Sequence, residues 1–225
     1  MENLNAGIDL PRALKDIFAD RLSSFCLASE DAGFPVSKDP NILAAASRVF
    51  SFSDFVSRSC IRNPGILNSL IRSGDLQRSY EKGEVAEKLK GPLLTLANEI
   101  LREPSAFSDN QRIQALQKLL RDFRNREMVR IAWRDLEGWA TLSETVRDLS
   151  NLADACLEGS LGLLYEWLAS DKGTPVGKNG SRQSLVVIGM GKLGGKELNF
   201  SSDIDLILTF PDPGETQGTA KPISN

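Results

Sequence analysis

The 225-residue sequence contains no histidine. Histidine is the usual general base near neutral pH and a common metal ligand, so histidine-based triads and histidine-ligated metal sites are excluded. Any chemistry must therefore use carboxylates, lysine, hydroxyl groups or bound ions. Cysteine is also scarce. Cys26, Cys60 and Cys156 lie far apart and form no CxxC pair, which favours reduced thiols over a disulfide framework or a zinc site.

The sequence also lacks the features typical of membrane, secreted and nucleic-acid-binding proteins. No apolar run approaches the ~20 residues that span a membrane. The N-terminal segment MENLNAGIDLPRALKDIF lacks the basic start and long apolar stretch of a secretory signal. The formal net charge of -3 gives no basic excess of the kind that nucleic-acid binding usually needs. We therefore expect a cytoplasmic protein that binds neither nucleic acid nor membrane.

Residues 1–170 are predicted to form a helical region, because apolar residues recur at helical spacing between breaks at proline, glycine and asparagine. Asp109 is the expected cap of a long helix, and Thr141 with Glu144 forms a capping-box pattern that opens the last one. Gly91-Pro92 is expected to separate two short helices. The predicted helices are 53–62, 65–72, 84–89, 93–102, 109–136 and a segment from 141 past 167.

Arginine recurs every fourth residue on one face of the predicted helix 109–136, at Arg126, Arg130 and Arg134. Such a row could reach an acidic partner or a nucleotide. Acidic residues lie close by in sequence, however, and the expectation is a surface helix with ion pairs worth a few tenths of a kcal/mol each. Tryptophan at helical positions predicts core side chains, at Trp133, Trp139 and Trp167.

The composition changes after residue 170. Residues 170–184 are polar and contain glycine and proline, as in an exposed linker, and 185–188 and 204–210 are β-branched runs typical of strands. Residues 211–225 are turn-rich, with no further strand or helix predicted. Two strands alone do not make a stable sheet. Residues 185–225 are therefore predicted to begin an incomplete domain, which gives the chain an α+β fold class.

The stretch GMGKLGGKELNFSSDIDLILTF contains glycines typical of phosphate-binding loops. A Walker A loop does not fit, because Gly191-Lys192 is followed by Leu193 where the motif needs serine or threonine. Gly189, Gly191 and Gly194 spell the dinucleotide-binding pattern GxGxxG. Too few residues separate them from the next strand, however, for the crossover helix of that fold.

A polymerase-beta-like nucleotidyltransferase fits the order of parts: a strand, a glycine-rich turn, a short helix, then a strand carrying Asp-x-Asp. Side chains two residues apart on a strand point to one face, so the carboxylates of Asp203 and Asp205 would lie together. Such paired carboxylates suit Mg²⁺, which keeps water ligands and bridges to substrate phosphates.

The same stretch offers groups that can contact phosphate. Lys192 or Lys196 could offset phosphate charge, and Ser201 or Ser202 could donate hydrogen bonds. A lone Asp-x-Asp is usually a solvated strand end, and glycines in a turn often serve only the backbone. The ordered combination of these parts is what favours the nucleotidyltransferase interpretation.

Three segments carry a resemblance to a known family: GKLGGKELNFSSDIDLI at 191–207, SDFVSRSCIRNP at 53–64 and FRNREMVRIAWRDL at 123–136. Together they closely resemble the N-terminal half of the bifunctional glutamine synthetase adenylyltransferase/adenylyl-removing enzymes. The segments occur in the family's order, and ELNFSSDIDL is more similar to the adenylyl-removing copy of the motif than to the adenylylating copy.

The resemblance implies a Mg²⁺-dependent phosphorolysis in which inorganic phosphate releases AMP from the adenylyl-tyrosine of glutamine synthetase as ADP. It implies ADP or ATP as nucleotide, and glutamine synthetase and a PII-type signalling protein as partners. Asp203 and Asp205 match the metal-binding aspartates. The implied phosphate-binding or nucleotide-binding residues are Gly191, Lys192, Gly194, Gly195 and Ser202.

This sequence departs from the family pattern in two ways. Lys196 stands where many members have glycine or another small residue, and its charge is expected to be solvated. The third carboxylate of the family's site lies beyond Asn225, so the chain resembles an N-terminal fragment. An incomplete fragment that serves as a helical binding module for glutamine synthetase or a PII-type protein is the alternative function.

Overall fold

The computed structural model describes residues 11–103, 106–219 and 221–224, which form the predicted mainly helical α+β fold. Expectations that fall on residues 1–10 lie outside the described residues. No described helix is long and apolar enough to cross a membrane. The helices are α1 (Arg12–Asp31), α2 (Pro40–Phe52), α3 (Asp54–Arg62), α4 (Gly65–Arg72), α5 (Glu84–Arg102), α6 (Asp109–Leu136), α7 (Leu142–Lys172) and α8 (Gly191–Gly194).

The described strands form two separate antiparallel pairs. They are β1 (Thr174–Val176), β2 (Val186–Gly189), β3 (Leu206–Thr209) and β4 (Glu215–Gln217). β2 pairs with β3, as the two predicted strands suggest, and β1 pairs with β4. The prediction that residues 211–225 carry no strand was therefore wrong. Both β1 and β4 are only three residues long and partly polar, so neither shows an apolar alternation that marks a strand in sequence.

The chain divides into two compact units. Unit 1 comprises the residues up to Glu81 together with Arg121–Asp148, and unit 2 comprises Lys82–Leu120 together with Leu149–Asn225. Helices α6 and α7 each contribute residues to both units.

Helix α6 begins one residue after its cap. The Ser108 N–H donates to Gln111 Oε1 at 2.8 Å, and the Gln111 N–H donates to Ser108 Oγ at 3.4 Å. This reciprocal pair is a capping box, so Ser108 is the cap and the predicted cap Asp109 is the first helical residue.

Helix α7 uses half of the capping box predicted for it. The Glu144 N–H donates to Thr141 Oγ1 at 3.2 Å, as expected. The Glu144 carboxylate instead accepts a hydrogen bond from Arg134 Nη2 at 2.8 Å. In a capping box the Glu144 side chain would bond to the backbone at the start of the helix. Here it pairs with a nearly buried arginine instead.

Helix α5 runs unbroken through Pro92, so the prediction of two helices separated by Gly91-Pro92 was wrong. Proline inside a helix removes one backbone hydrogen bond and crowds the preceding turn. The buried residues of α5 nevertheless form one continuous stripe on both sides of Pro92: Val85, Leu89, Leu96 and Ile100. Leu96 and Ile100 pack with Leu116 in the core of unit 2, and Trp167 is partly buried against that cluster. Tertiary packing therefore outweighs the local break.

The core of unit 1 is built on aromatic side chains. Phe50 lies edge-to-face against Phe25 and Trp133, at ring-centroid distances of 5.6 Å and 6.0 Å. Trp133 is fully buried, and Trp139 packs against the same cluster. All three tryptophans thus contribute to core packing, as predicted, although Trp139 lies in the loop between α6 and α7 and not on a helix.

The arginine row of α6 is not the ion-paired surface expected from sequence. Arg130 is 0% exposed and Arg134 is 3% exposed, and the Arg126 side chain is 21% exposed. The C-terminal half of α6 lies inside unit 1, and most acidic partners come from segments distant in sequence. Local spacing shows only the acids on the same helix, which is why it predicted a solvated face.

Each arginine of the row is paired, whether fully or partly buried. Arg130 Nε lies 2.9 Å from Glu127 Oε2, and Arg130 Nη2 lies 2.7 Å from Asp148 Oδ2. Arg126 Nη2 lies 2.8 Å from Asp75 Oδ2, and its Nη1 pairs with Glu127. Because Glu127, Asp148 and Asp75 are themselves almost fully buried, unit 1 contains a network of charges that depend on one another.

The environment keeps these guanidinium groups charged. Burial alone would lower the pKa of Arg126, but its hydrogen bond to Asp75 and the charge of Glu127 outweigh burial and raise the pKa. Burial likewise opposes the charge of Arg130, and its carboxylate partners again raise the pKa. The Arg130 guanidinium also lies over the Tyr80 ring, 3.6 Å from the centroid, in a cation–π contact.

Candidate functional site

The glycine-rich turn follows β2 directly and lies wholly in unit 2. Gly191 has a φ of +53°, a conformation that residues with a side chain adopt rarely. A Cβ at Gly194 would overlap the carbonyl oxygen of Gly189, and a Cβ at Gly189 would lie 3.0 Å from Leu193 Cγ. Glycines thus let α8 fold back onto the end of β2, with Leu193 buried beneath it.

Gly195 differs from Gly194 although both are predicted phosphate-binding residues. Its φ is -78°, and the nearest atom to an added Cβ would lie at 3.6 Å, an ordinary contact. The backbone therefore requires glycine at Gly194 but not at Gly195.

Replacing Gly194 by alanine is expected to lower the free energy of unfolding by about 1–3 kcal/mol, because the new methyl group meets rigid backbone. The Gly195→Ala variant is the matched control and should change stability by less than about 0.5 kcal/mol. Urea denaturation followed by circular dichroism measures both. Equal losses in the two variants would contradict the close packing of α8 on β2.

The pairing of β2 with β3 brings Asp205 to the glycine-rich turn. Gly189 pairs with Leu206, and the Met190 N–H donates to the Asp205 carbonyl oxygen at 2.9 Å. The ladder thus extends one residue beyond β3, and the Asp205 backbone lies opposite the residue that precedes α8. Asp203 lies two residues earlier, in an irregular segment. Both aspartates precede the strand on which the sequence analysis expected them.

The strand register also decides which face Asp205 shares. Residues directly opposite each other on paired strands point to the same face, and faces alternate along a strand. Asp205 therefore lies on the face of Ile188 and Ile207, both about half exposed. Val187 and Gly189, on the opposite face, are less exposed. Leu208, on that opposite face, is 59% exposed, so both faces of the β2–β3 pair are partly open to solvent.

Asp203 and Asp205 are exposed, and neither carboxylate has a hydrogen-bond or ion-pair partner among residues 11–103, 106–219 and 221–224. Over the same residues, no group of three or more acidic or cysteine side chains could hold a metal. Mg²⁺ commonly takes one or two protein carboxylates and completes its shell with water and substrate phosphate. Two free carboxylates two residues apart therefore fit a partly solvated Mg²⁺ and do not fit a closed metal site.

The remaining predicted phosphate-binding residues differ in their availability. Lys192 is exposed on α8 and forms no ion pair with the described part of the chain. Ser202 is half-buried, and its hydroxyl hydrogen-bonds to Asn199 Oδ1 while its N–H donates to the Asn199 carbonyl oxygen at 3.2 Å. The Ser202 hydroxyl therefore serves the turn before Asp203 in this structure.

Lys196 is not simply solvated, so that expectation was wrong. Its side chain is 54% exposed, but its ammonium group pairs with Asp154 on α7. Close by, the Leu198 N–H donates to Ser150 Oγ at 3.2 Å. Sequence reasoning missed Asp154 and Ser150, which lie 42 and 48 residues from their partners. The one signal in the sequence was Lys196 itself, a charged residue where many family members have glycine or another small residue.

A groove of about 1270 Å³ lies beside the glycine-rich turn within unit 2. Leucines of α7 form one wall, β2 forms the other, and Gly189 and Gly194 lie at the turn. Its polar residues include Asp154, Lys196 and Arg182.

The chain is similar to a known enzyme family and to several of its members. The family described as glutamate-ammonia ligase adenylyltransferase matches residues 43–225. The chain is 41% identical over 217 residues, 96% of its length, to the bifunctional glutamine synthetase adenylyltransferase/adenylyl-removing enzyme of Nitrosococcus oceani. It is 40% identical over 216 residues to that of Thioalkalivibrio sulfidiphilus, and 41% identical over 179 residues, 79% of this chain, to that of Pseudomonas aeruginosa. The chain spans about a fifth of the length of these relatives, between 17% and 21%.

Proposed function

We propose, from the premise that this chain belongs to the glutamate-ammonia ligase adenylyltransferase family, that it takes part in removing AMP from adenylylated glutamine synthetase. The family consists of nucleotidyltransferase enzymes, and the names of the relatives include an adenylyl-removing activity. In the proposed reaction an oxygen of inorganic phosphate attacks the phosphorus of AMP-tyrosine. The bond from phosphorus to the tyrosine oxygen breaks, and the products are ADP and unmodified tyrosine.

One observation carries the proposal. The hydrogen bond from Met190 N–H to the Asp205 carbonyl oxygen, at 2.9 Å, ties the aspartate segment to the start of the glycine-rich turn. The Asp205 backbone therefore lies beside the turn on which Lys192 is exposed, and Asp203 precedes Asp205 by two residues. Paired carboxylates beside a glycine-rich turn are part of what nucleotidyl transfer with a divalent cation requires.

In this site Asp203 and Asp205 would hold Mg²⁺. The cation, when bound, would supply charge neutralisation between carboxylates and phosphate. Lys192, which has no acidic partner among the described residues, would offset further phosphate charge. Gly191, Gly194 and Gly195 would let the backbone approach the phosphate closely, and Ser202 would contribute only if its hydroxyl left Asn199.

We further propose that residues 185–225 begin a polymerase-beta-like nucleotidyltransferase domain that follows the helical region 1–170. The proposed partners are glutamine synthetase, a PII-type signalling protein, ADP or ATP, and phosphate. The proposed location is the cytoplasm, where glutamine synthetase would be available as substrate.

A second candidate function is supported by the small number of carboxylates. Because the described residues place no more than two candidate metal-binding aspartates in this segment, the chain alone could be a binding module whose helices contact glutamine synthetase or a PII-type protein. Such binding would not depend on Mg²⁺.

The test is ADP release from adenylylated glutamine synthetase mixed with this chain, phosphate and Mg²⁺. We expect release that stops when phosphate is omitted or EDTA is added, because both the nucleophile and the cation are needed. Release that persists in EDTA would contradict the proposed chemistry. A folded chain that releases nothing, yet binds glutamine synthetase equally with and without Mg²⁺, would favour the binding module.

A further inference from the structure

The turn after α8 has a conformation that its sequence does not favour. Lys196 has a φ of +59° and is the one residue other than glycine with a positive φ in the described part of the chain. The left-handed conformation brings the Cβ of such a residue close to its own backbone, so glycine occupies it far more readily.

Backbone hydrogen bonds identify the turn as a Schellman motif. The Lys196 N–H donates to the Leu193 carbonyl oxygen at 3.1 Å, and the Glu197 N–H donates to the Lys192 carbonyl oxygen at 2.8 Å. These two bonds end a helix with a left-handed residue at the position where glycine is usual. A lysine there is less favourable than glycine, and a contact elsewhere can offset the difference.

Helix α7 supplies that contact. Asp154 forms an ion pair with the Lys196 ammonium group. One turn earlier on the same helix face, Ser150 Oγ accepts the Leu198 N–H at 3.2 Å, and the Leu198 side chain is 7% exposed. The segment that leaves α8 is thus attached to α7 at two points before it reaches Asp203.

We propose that Asp154 and Lys196 are a positioning pair for the candidate site: the ion pair holds Lys196 in the left-handed conformation and thereby fixes the segment between the glycine-rich turn and Asp203. The importance of this segment for metal binding rests on the proposed function. The claim that the ion pair holds the turn rests only on the contacts of Lys196 and not on the proposed function. Neither residue touches the reacting atoms.

The expected effects are modest because both side chains are about half exposed. Exposed ion pairs change an equilibrium constant by up to about fivefold. We expect Asp154→Asn and Lys196→Ala each to increase amide hydrogen exchange of residues 196–203 by about two- to fivefold. They should also weaken Mn²⁺ binding, measured by electron paramagnetic resonance, by a similar factor.

The Lys196→Gly variant provides the background in which the effect of Asp154 can be tested without the ion pair. Lys196→Gly removes the ion pair but restores a residue that adopts the left-handed conformation freely, so exchange and Mn²⁺ affinity should stay within about twofold of the unsubstituted chain. In this background Asp154→Asn should have no further effect. The control Asp171→Asn, which alters an exposed aspartate near the end of α7, should change neither measurement.

The outcomes separate the pair from the proposed function. An Asp154→Asn effect that persists with glycine at 196, or no effect in either background, would overturn the positioning pair. An unsubstituted chain that binds no Mn²⁺, or binds it unchanged after Asp203→Asn, would overturn the proposed metal site. Hydrogen exchange would then still decide whether Asp154 holds the turn.

Discussion

Replacing Asp203 by asparagine is expected to lower phosphate-dependent ADP release at least about 100-fold, because the proposed cation loses a charged ligand. Asparagine keeps the size of the side chain and one oxygen but removes the negative charge. Asp203 is exposed and has no partner among the described residues, so the fold should not depend on its charge. ADP release and circular dichroism of the variant are the two measurements.

The control is Asp212→Asn, which removes the same charge from the same part of the chain. In this structure the Asp212 backbone N–H donates to Gln183 Oε1 at 3.3 Å, and that bond is unaffected by the substitution. The control should keep ADP release within about twofold. Full activity in Asp203→Asn would remove Asp203 from the site, and equal losses in both variants would indicate a general effect of charge.

The local parts of the candidate site could be identified from the sequence, and their role in catalysis stays a prediction. Gly191, Gly194 and the Asp-x-Asp pair could be found because a strand, a tight turn and a second strand impose short spacings that are visible in sequence. It could not be predicted from sequence whether the two aspartates would be free of ion-pair partners. Whether a carboxylate is free depends on neighbours that the fold brings in, as the pairing of Lys196 with Asp154 on α7 shows.

The difference between local signals and contacts with distant segments also explains which fold predictions were right and which were wrong. Helices α3 and α4 have the predicted bounds within one residue, because caps and breaks are local signals. Helix α5 crosses Pro92, because a continuous buried stripe outweighs one lost hydrogen bond. β4 was missed because its pairing with β1 joins segments on either side of the β2–β3 pair. Predictions from local sequence patterns therefore fail where packing against distant segments determines the secondary structure.

The buried arginines of α6 lead to the largest stability effect that we predict. Arg130→Met is expected to lower the free energy of unfolding by about 3 kcal/mol, because the buried carboxylates of Glu127 and Asp148 each lose one of two arginine partners and keep only Arg126 and Arg147. Glu127 and Asp148 would remain buried without the guanidinium that lies 2.9 Å and 2.7 Å from them. Urea denaturation followed by tryptophan fluorescence measures this, since Trp133 lies in the core of the same unit.

A surface arginine supplies the control. Arg58 Nε lies 3.0 Å from Asp54 Oδ2, but the two side chains are 66% and 54% exposed. Arg58→Met should cost less than about 1 kcal/mol, because exposed pairs contribute little. Similar losses for Arg58→Met and Arg130→Met would contradict a special role of the buried network.

A combined variant tests the physical cause of the Arg130 effect. If the loss arises from excess buried negative charge, then Glu127→Gln and Asp148→Asn added to Arg130→Met should recover part of the stability, because that excess is removed and Arg126 keeps Asp75 as its partner. If the loss arises instead from the missing contact of the guanidinium with the Tyr80 ring, the added substitutions should recover nothing or destabilise further. Recovery would mean that the arginine row of α6 serves mainly to neutralise acids inside unit 1. That result would argue against direct contact of Arg130 with an acidic partner or a nucleotide.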